Sequence, residues 1–121
     1  IEQMQIAPLR RLVQGYAELE QWDKVRVYGQ MAIELTLANA DLFMTVARAH
    51  TETSNAKEAL YTYDSALLVQ PSMRRPALAH IGRARAMIAL GDRRGARKAV
   101  RQALALEPEN KDALILDREL K

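Results

Sequence analysis

The sequence predicts an all-helical fold in which three antiparallel helix pairs stack into an α-solenoid and a further helix caps the carboxyl end. Three observations predict it. Apolar and small residues recur three and four apart along most of the chain, the spacing of one face of a helix. The arrangement of these stripes repeats every 34 to 37 residues, with Pro71 and Pro108 marking the beat after alanine-rich stretches. The composition, 49% apolar with only five Gly and four Pro, suits helices. A helix pair that cannot bury its own apolar face must stack on a neighbour, so a period of this length implies a solenoid with an extended concave wall.

The middle unit is the clearest. Phe43, Val46, Ala47 and His50 form one stripe, Ser54-Asn55 interrupts it, and Ala59, Tyr63, Ala66 and Leu67 form a second. Asn55 followed by Glu58 predicts an N-cap with its reciprocal partner. Pro71 is expected to end the second helix, because the residue before a proline is pushed out of helical geometry. Two helices are expected, near 40–53 and 56–69.

The third unit repeats the scheme. Ala84, Met87 and Leu90 lead to Gly91-Asp92, a helix stop followed by an N-cap. Ala96, Val100, Ala103 and Leu104 follow, and Pro108 closes the unit. Its beat is longer because extra residues around 72–75 lengthen the loop between units. The first unit carries Leu9, Leu12, Val13 and Tyr16, then Trp22, Val25, Ala32 and Ile33. Leu37 stands where a proline is expected. Gly29 replaces the large residue found at Tyr63 and Val100, which predicts looser packing there. The repeats are placed at about 5–38, 40–73 and 76–109 in one domain, 1–121. Residues 110–121 read as the capping helix, or else as the start of another repeat.

At these residues the chain resembles the tetratricopeptide repeat family. The family pattern of an aromatic, a leucine, a small residue and a tyrosine, then alanine, aromatic and proline, falls on Phe43, Val46, Ala47, His50, Ala59, Tyr63 and Pro71. It falls again on His80, Arg83, Ala84, Met87, Ala96, Val100 and Pro108. In the first unit it falls on Leu9, Leu12, Val13, Tyr16, Val25 and Gly29. Arg83 occupies a position normally held by leucine. The resemblance covers residues 8–108 and implies a right-handed superhelix whose concave wall, lined by the first helix of each pair, binds partners.

Composition excludes several functions. There is no cysteine, so structural disulfides and thiolate metal sites are absent. The longest charge-free run is nine residues, Ser65 to Met73, against the roughly 20 apolar residues a membrane span needs. The chain begins at Ile1 and ends within a helical pattern, which reads as an excerpt of a longer protein. Charge is uneven. Residues 1–71 carry a net −3, residues 72–105 a net +8 with Asp92 as their one acid, and residues 106–121 a net −2. Such asymmetry steers acidic partners.

No catalytic constellation, phosphate-cradling glycine loop or metal-ligand spacing occurs. His50 and His80 lie on packing stripes and read as buried or half-buried filler. No enzyme activity, metal or cofactor is expected. The expected site is the concave groove. Its residues, by periodicity, are Arg10 and Gln14 from the first unit, Met44, Thr45, Arg48 and Glu52 from the second, and Ile81, Arg85 and Ile88 from the third, with Leu78 and Gly82 beside them. Gln14, Arg48 and Arg85 are equivalent positions and form a ladder; arginine's planar fork suits carboxylates. Glu18 and Glu52 lie one turn away and can pair with it.

Some members of the family hold an acidic chaperone terminus through a two-carboxylate clamp. Arg10 and Gln14 match two clamp positions, but Thr45, Leu78 and Gly82 cannot supply the rest, so that role is not expected. Arg94, Arg97, Lys98 and Arg101 form a convex basic face that either is simply solvated or meets an anionic partner. No aromatic residue follows position 63, which argues against single-stranded nucleic acid.

The function expected is a scaffold that binds a protein segment in its groove. The alternatives are a spacer or self-assembly element of a longer array and anionic-polymer binding through the third unit. Thirteen Arg against five Lys hints at a GC-rich bacterial source and an envelope, secretion or polysaccharide-export assembly. The compartment, cytoplasm or periplasm, is left open.

Overall fold

The computed structural model describes residues 2–35, 39–69 and 73–121, with side chains from residue 7 onward. Pro71 and Leu37, to which the sequence assigns roles at the ends of units, lie outside the described residues. Seven helices and no strand occur among those described: α1 (Glu2–Glu18), α2 (Trp22–Leu35), α3 (Ala40–Glu52), α4 (Ala56–Leu68), α5 (Pro76–Ala89), α6 (Arg93–Leu106) and α7 (Lys111–Glu119). Each helix packs on the next, and α1 also meets α3 and α3 also meets α5. The first helices of the pairs therefore form one layer and the second helices another. None of these helices is long and apolar enough to cross a membrane.

The repeat is visible in the hydrogen bonding of the turns. The N–H groups of Gln21, Asn55 and Asp92 donate to carbonyls five residues back, on Tyr16, His50 and Met87, at 2.9, 2.7 and 2.8 Å. The residues just before them, Glu20, Ser54 and Gly91, have φ of 56°, 60° and 82°. This closure satisfies the last carbonyls of a helix by turning one residue left-handed. Only the third unit uses glycine there, so Glu20 and Ser54 carry the steric cost of a Cβ.

Helix starts follow the same economy. Asn39, Asp92 and Asn110 accept from the N–H of Leu42, Gly95 and Ala113 at 3.0, 2.8 and 3.0 Å. Pro76 opens α5, where its missing N–H costs nothing. The reciprocal cap expected at Asn55 does not form. Its amide instead donates to the Thr53 carbonyl and hydroxyl at 3.1 and 2.8 Å, because the tight turn brings Thr53 closer than the first turn of α4.

Packing is built on small residues. Val13, Val25, Ala32, Ile33, Phe43 and Val46 join α1, α2 and α3. Ala47, Ala59, Tyr63, Ala79 and Ala86 join α3, α4 and α5. Ala77, Ile81, Ala84, Val100, Leu116 and Leu120 join α5, α6 and α7. The looseness expected at Gly29 is not found. Gly29 is buried, and a Cβ there would overlap Val46 Cγ2, so the missing side chain lets α2 approach α3 closely. Gly82 does the same for α5, lying against the ring of Tyr63.

Candidate functional site

One face of the layer formed by α1, α3 and α5 carries two adjoining clefts. The first, about 580 Å³, lies between α1 and α3, and Arg10, Gln14, Thr45 and Arg48 line it, with Trp22 and the acids Glu18 and Asp41. The second, about 480 Å³, lies between α3 and α5, and Arg48, Glu52, Leu78 and Arg85 line it over the ring of Tyr63. Arg48 borders both, and its guanidinium carbon sits 4.8 Å above the centre of the Trp22 ring. Stacking of this kind is worth about 0.5–1 kcal/mol at an exposed site. It restrains the guanidinium of a side chain that remains exposed. Among the described residues, neither Arg10 nor Arg48 is ion-paired.

The structure thus brings Arg10, Gln14 and Arg48 to one cleft and Arg48 and Arg85 to the next. Arg85 is not free: its Nη2 lies 3.9 Å from Asp112 Oδ1 on α7. Glu18 and Glu52, which could have paired with the ladder, form no ion pair with the arginines among the described residues. Thr45 and Thr51 donate their hydroxyls to the carbonyls of Asp41 and Ala47 at 3.1 Å, so their donors are used within α3. Burial raises the Tyr63 phenol above its ordinary pKa, so it forms a neutral floor.

Ile81 borders the second cleft but presents little surface to it. It is 2% exposed and belongs to the core shared with α6 and α7. Ile88 is half-buried against the same core, and Met44 is half-buried between two clusters. The apolar residue that reaches the groove surface is Leu78, 38% exposed. The reason lies in the position of α5. It packs on α3 and α4 on one side and α6 on the other, so Ala77, Ala79, Ile81, Gly82, Ala84 and Ala86 are all buried. A single amphipathic stripe underestimates burial for such a helix.

The convex face divides into two sets. Arg97 Nε donates to the Leu120 carbonyl at 2.9 Å and Arg93 Nη2 to the Glu119 carbonyl at 3.3 Å, so both cap the end of α7. Arg97 is therefore exposed but committed. Arg94, Lys98 and Arg101 are exposed and have no acid or carbonyl partner among the described residues.

Other basic residues of the third unit are also committed. Arg75 makes a two-point contact with Glu107 at 2.7 and 3.1 Å, joining the start of α5 to the end of α6. Its hydrogen bonds hold the Glu107 carboxyl below the usual carboxylate range. Arg83, in the leucine position, lies with its side chain 19% exposed and donates to Asp64 at 2.6 Å and to Gln102 at 3.1 Å. It bridges α4 and α6 while its stem fills the space of a leucine.

His50 is 9% exposed, and its Nδ1 is buried without a partner. Burial first, then Arg26, lowers its pKa against an opposing effect of Glu58. Burial, then Arg83, lowers that of His80. Neither histidine lines the two groove clefts, and among the described residues no three His, Asp or Glu are grouped to hold a metal ion.

Residues 77–110, spanning α5, α6 and the turn into α7, match the tetratricopeptide repeat family. The chain thus carries a tetratricopeptide repeat at these residues, and its full length has the fold of tetratricopeptide-repeat domains. It is similar to the tetratricopeptide-repeat domain of Arabidopsis OM64, with 25% identity, a TM-score of 0.90 and coverage of 100% of this chain and 98% of that one. It is similar in fold to the second such domain of human RPAP3 in complex with an HSP70 peptide (22% identity, TM-score 0.88, 99% of this chain and 98% of that one). PcrH in complex with the chaperone-binding region of PopD also shares the fold (18% identity, TM-score 0.79, 99% and 88%). Comparison with curated protein sequences finds no match.

Proposed function

We propose that this chain is a non-catalytic interaction scaffold that holds an extended segment of a partner protein in the groove formed by α1, α3 and α5. The observation that carries the reading is the continuity of the two clefts through Arg48, whose guanidinium is pre-positioned on Trp22. A rigid, preformed surface of this kind limits the ordering entropy of binding. Arg10, Gln14 and Arg48 supply donors suited to carboxylates, and Leu78 over Tyr63 supplies an apolar seat. The structural neighbours human RPAP3 and PcrH are found in complex with protein segments, which supports the same use here.

The partner is not carried over from those neighbours. Thr45, Leu78 and Gly82 differ from what an acidic-terminus clamp requires, and Gly82 is buried under the Tyr63 ring. Nor do the plant and human neighbours support the bacterial envelope setting expected from composition.

The reading is tested by capture of partners from the native organism with the wild-type chain, with Arg48→Glu/Arg85→Glu, and with Arg94→Glu/Lys98→Glu/Arg101→Glu. Circular dichroism should show all three folded. The proposal expects a partner lost with the first variant and kept with the second. The opposite pattern assigns binding to the basic convex face.

A further inference from the structure

The two clefts differ in how their arginines are engaged. Between α1 and α3, Glu18 and Asp41 line the wall, yet Arg10 and Arg48 form no ion pair among the described residues. Between α3 and α5, Asp112 reaches Arg85 at 3.9 Å. Asp112 is not part of the three helix pairs; it sits in the first turn of α7, just after the Asn110 cap. That helix is firmly seated, with Leu120 only 2% exposed and two arginines on its terminal carbonyls. A packed helix therefore holds a carboxylate at the carboxyl end of the groove, beside the apolar seat of Leu78 and Tyr63.

Resting on the groove reading above, we infer that Asp112 is a specificity-determining residue that gives the groove a polarity. A partner carboxylate is accepted in the α1–α3 cleft, on Arg10 and Arg48. In the α3–α5 cleft Asp112 already engages Arg85 and repels a second carboxylate, so an apolar side chain is accepted over Tyr63. Neighbouring helices lie roughly 10 Å apart, and an extended chain advances about 3.3 Å per residue. The segment that fits places its acidic and apolar residues about three positions apart. The Arg85–Asp112 pair is solvent-exposed, so the discrimination is modest, on the order of fivefold.

The test uses the full chain and synthetic ten-residue peptides in a Gly/Ser background, titrated by NMR. One pair of peptides carries a glutamate and a leucine three positions apart, in either order. A second pair replaces the leucine with glutamate. The wild type should prefer the glutamate–leucine peptides about fivefold, with shifts on α1, α3 and α5. Asp112→Asn should reduce that ratio to about twofold or less.

A merely structural role for Asp112 would change both affinities together and leave their ratio intact. Equal binding of the two classes by the wild type, or an unchanged ratio in Asp112→Asn, overturns the inference. If Arg48→Glu still abolishes binding in that case, the groove reading stands. If no peptide shifts α1, α3 or α5, the groove reading itself fails.

Discussion

Gly29→Ala tests the packing logic where α2 closely approaches α3. A glycine inside a helix costs about 1 kcal/mol relative to alanine, so the substitution gains that much if nothing is in the way. Val46 is in the way: a Cβ at position 29 overlaps Val46 Cγ2, and Val46 is fully buried. Overpacking a filled core costs about 1–3 kcal/mol, which leaves a net destabilisation of about 1 kcal/mol. Val46→Ala alone removes two methyl-sized groups, about 1.6 kcal/mol by transfer, and about 2–3 kcal/mol with the cavity. In the double variant the new methyl occupies the vacated space and the helix-propensity gain is realised. Its total should be about 1–2 kcal/mol, roughly 2 kcal/mol less than the sum of the singles, as expected for residues in contact. Urea denaturation followed by helical circular dichroism measures all three. Stabilisation by Gly29→Ala alone, adding independently to Val46→Ala, would refute the reasoning.

Three further outcomes follow from the geometry. Ser54→Gly and Glu20→Gly should each raise stability by about 1 kcal/mol in the same urea assay, because both residues sit at positive φ outside the helix body. Leu120→Ala should cost about 2–4 kcal/mol and should speed amide exchange first in α7, since its side chain anchors that helix. The folded-state pKa values of His50 and His80 lie below 6.5, so between those values and 6.5 the unfolded chain binds more protons. The melting temperature should therefore be level above pH 7 and fall as the pH drops through 6.5 towards 5. His50→Leu should flatten that slope; an unchanged slope counts against burial of this imidazole.

The sequence makes the helical layout legible because helix ends and apolar stripes are local signals. The Gly91-Asp92 reversal and the stripes of the middle unit are found where the spacing puts them. Contacts between units are less legible. Gly29 reads as a gap in one helix, but its meaning depends on Val46 in the next. Ile81 reads as surface because the stripe rule assigns a helix one buried face, whereas α5 has neighbours on both sides. Arg97 reads as part of a free basic stripe, and only the position of α7 shows that it holds a helix end. Arg83 reads as a departure from the leucine pattern, and only α4 and α6 supply its polar partners. The groove ladder is visible as equivalent positions, but the engagement of Arg48 by Trp22 and of Arg85 by Asp112 is tertiary information.

The most direct test of the central claim is amide hydrogen exchange of the whole chain, free and bound to the partner segment recovered by capture. The groove account predicts added protection concentrated in α1, α3 and α5, with α2, α4 and α6 unchanged on their outer faces. Protection concentrated in α6 and absent from α3 would contradict it.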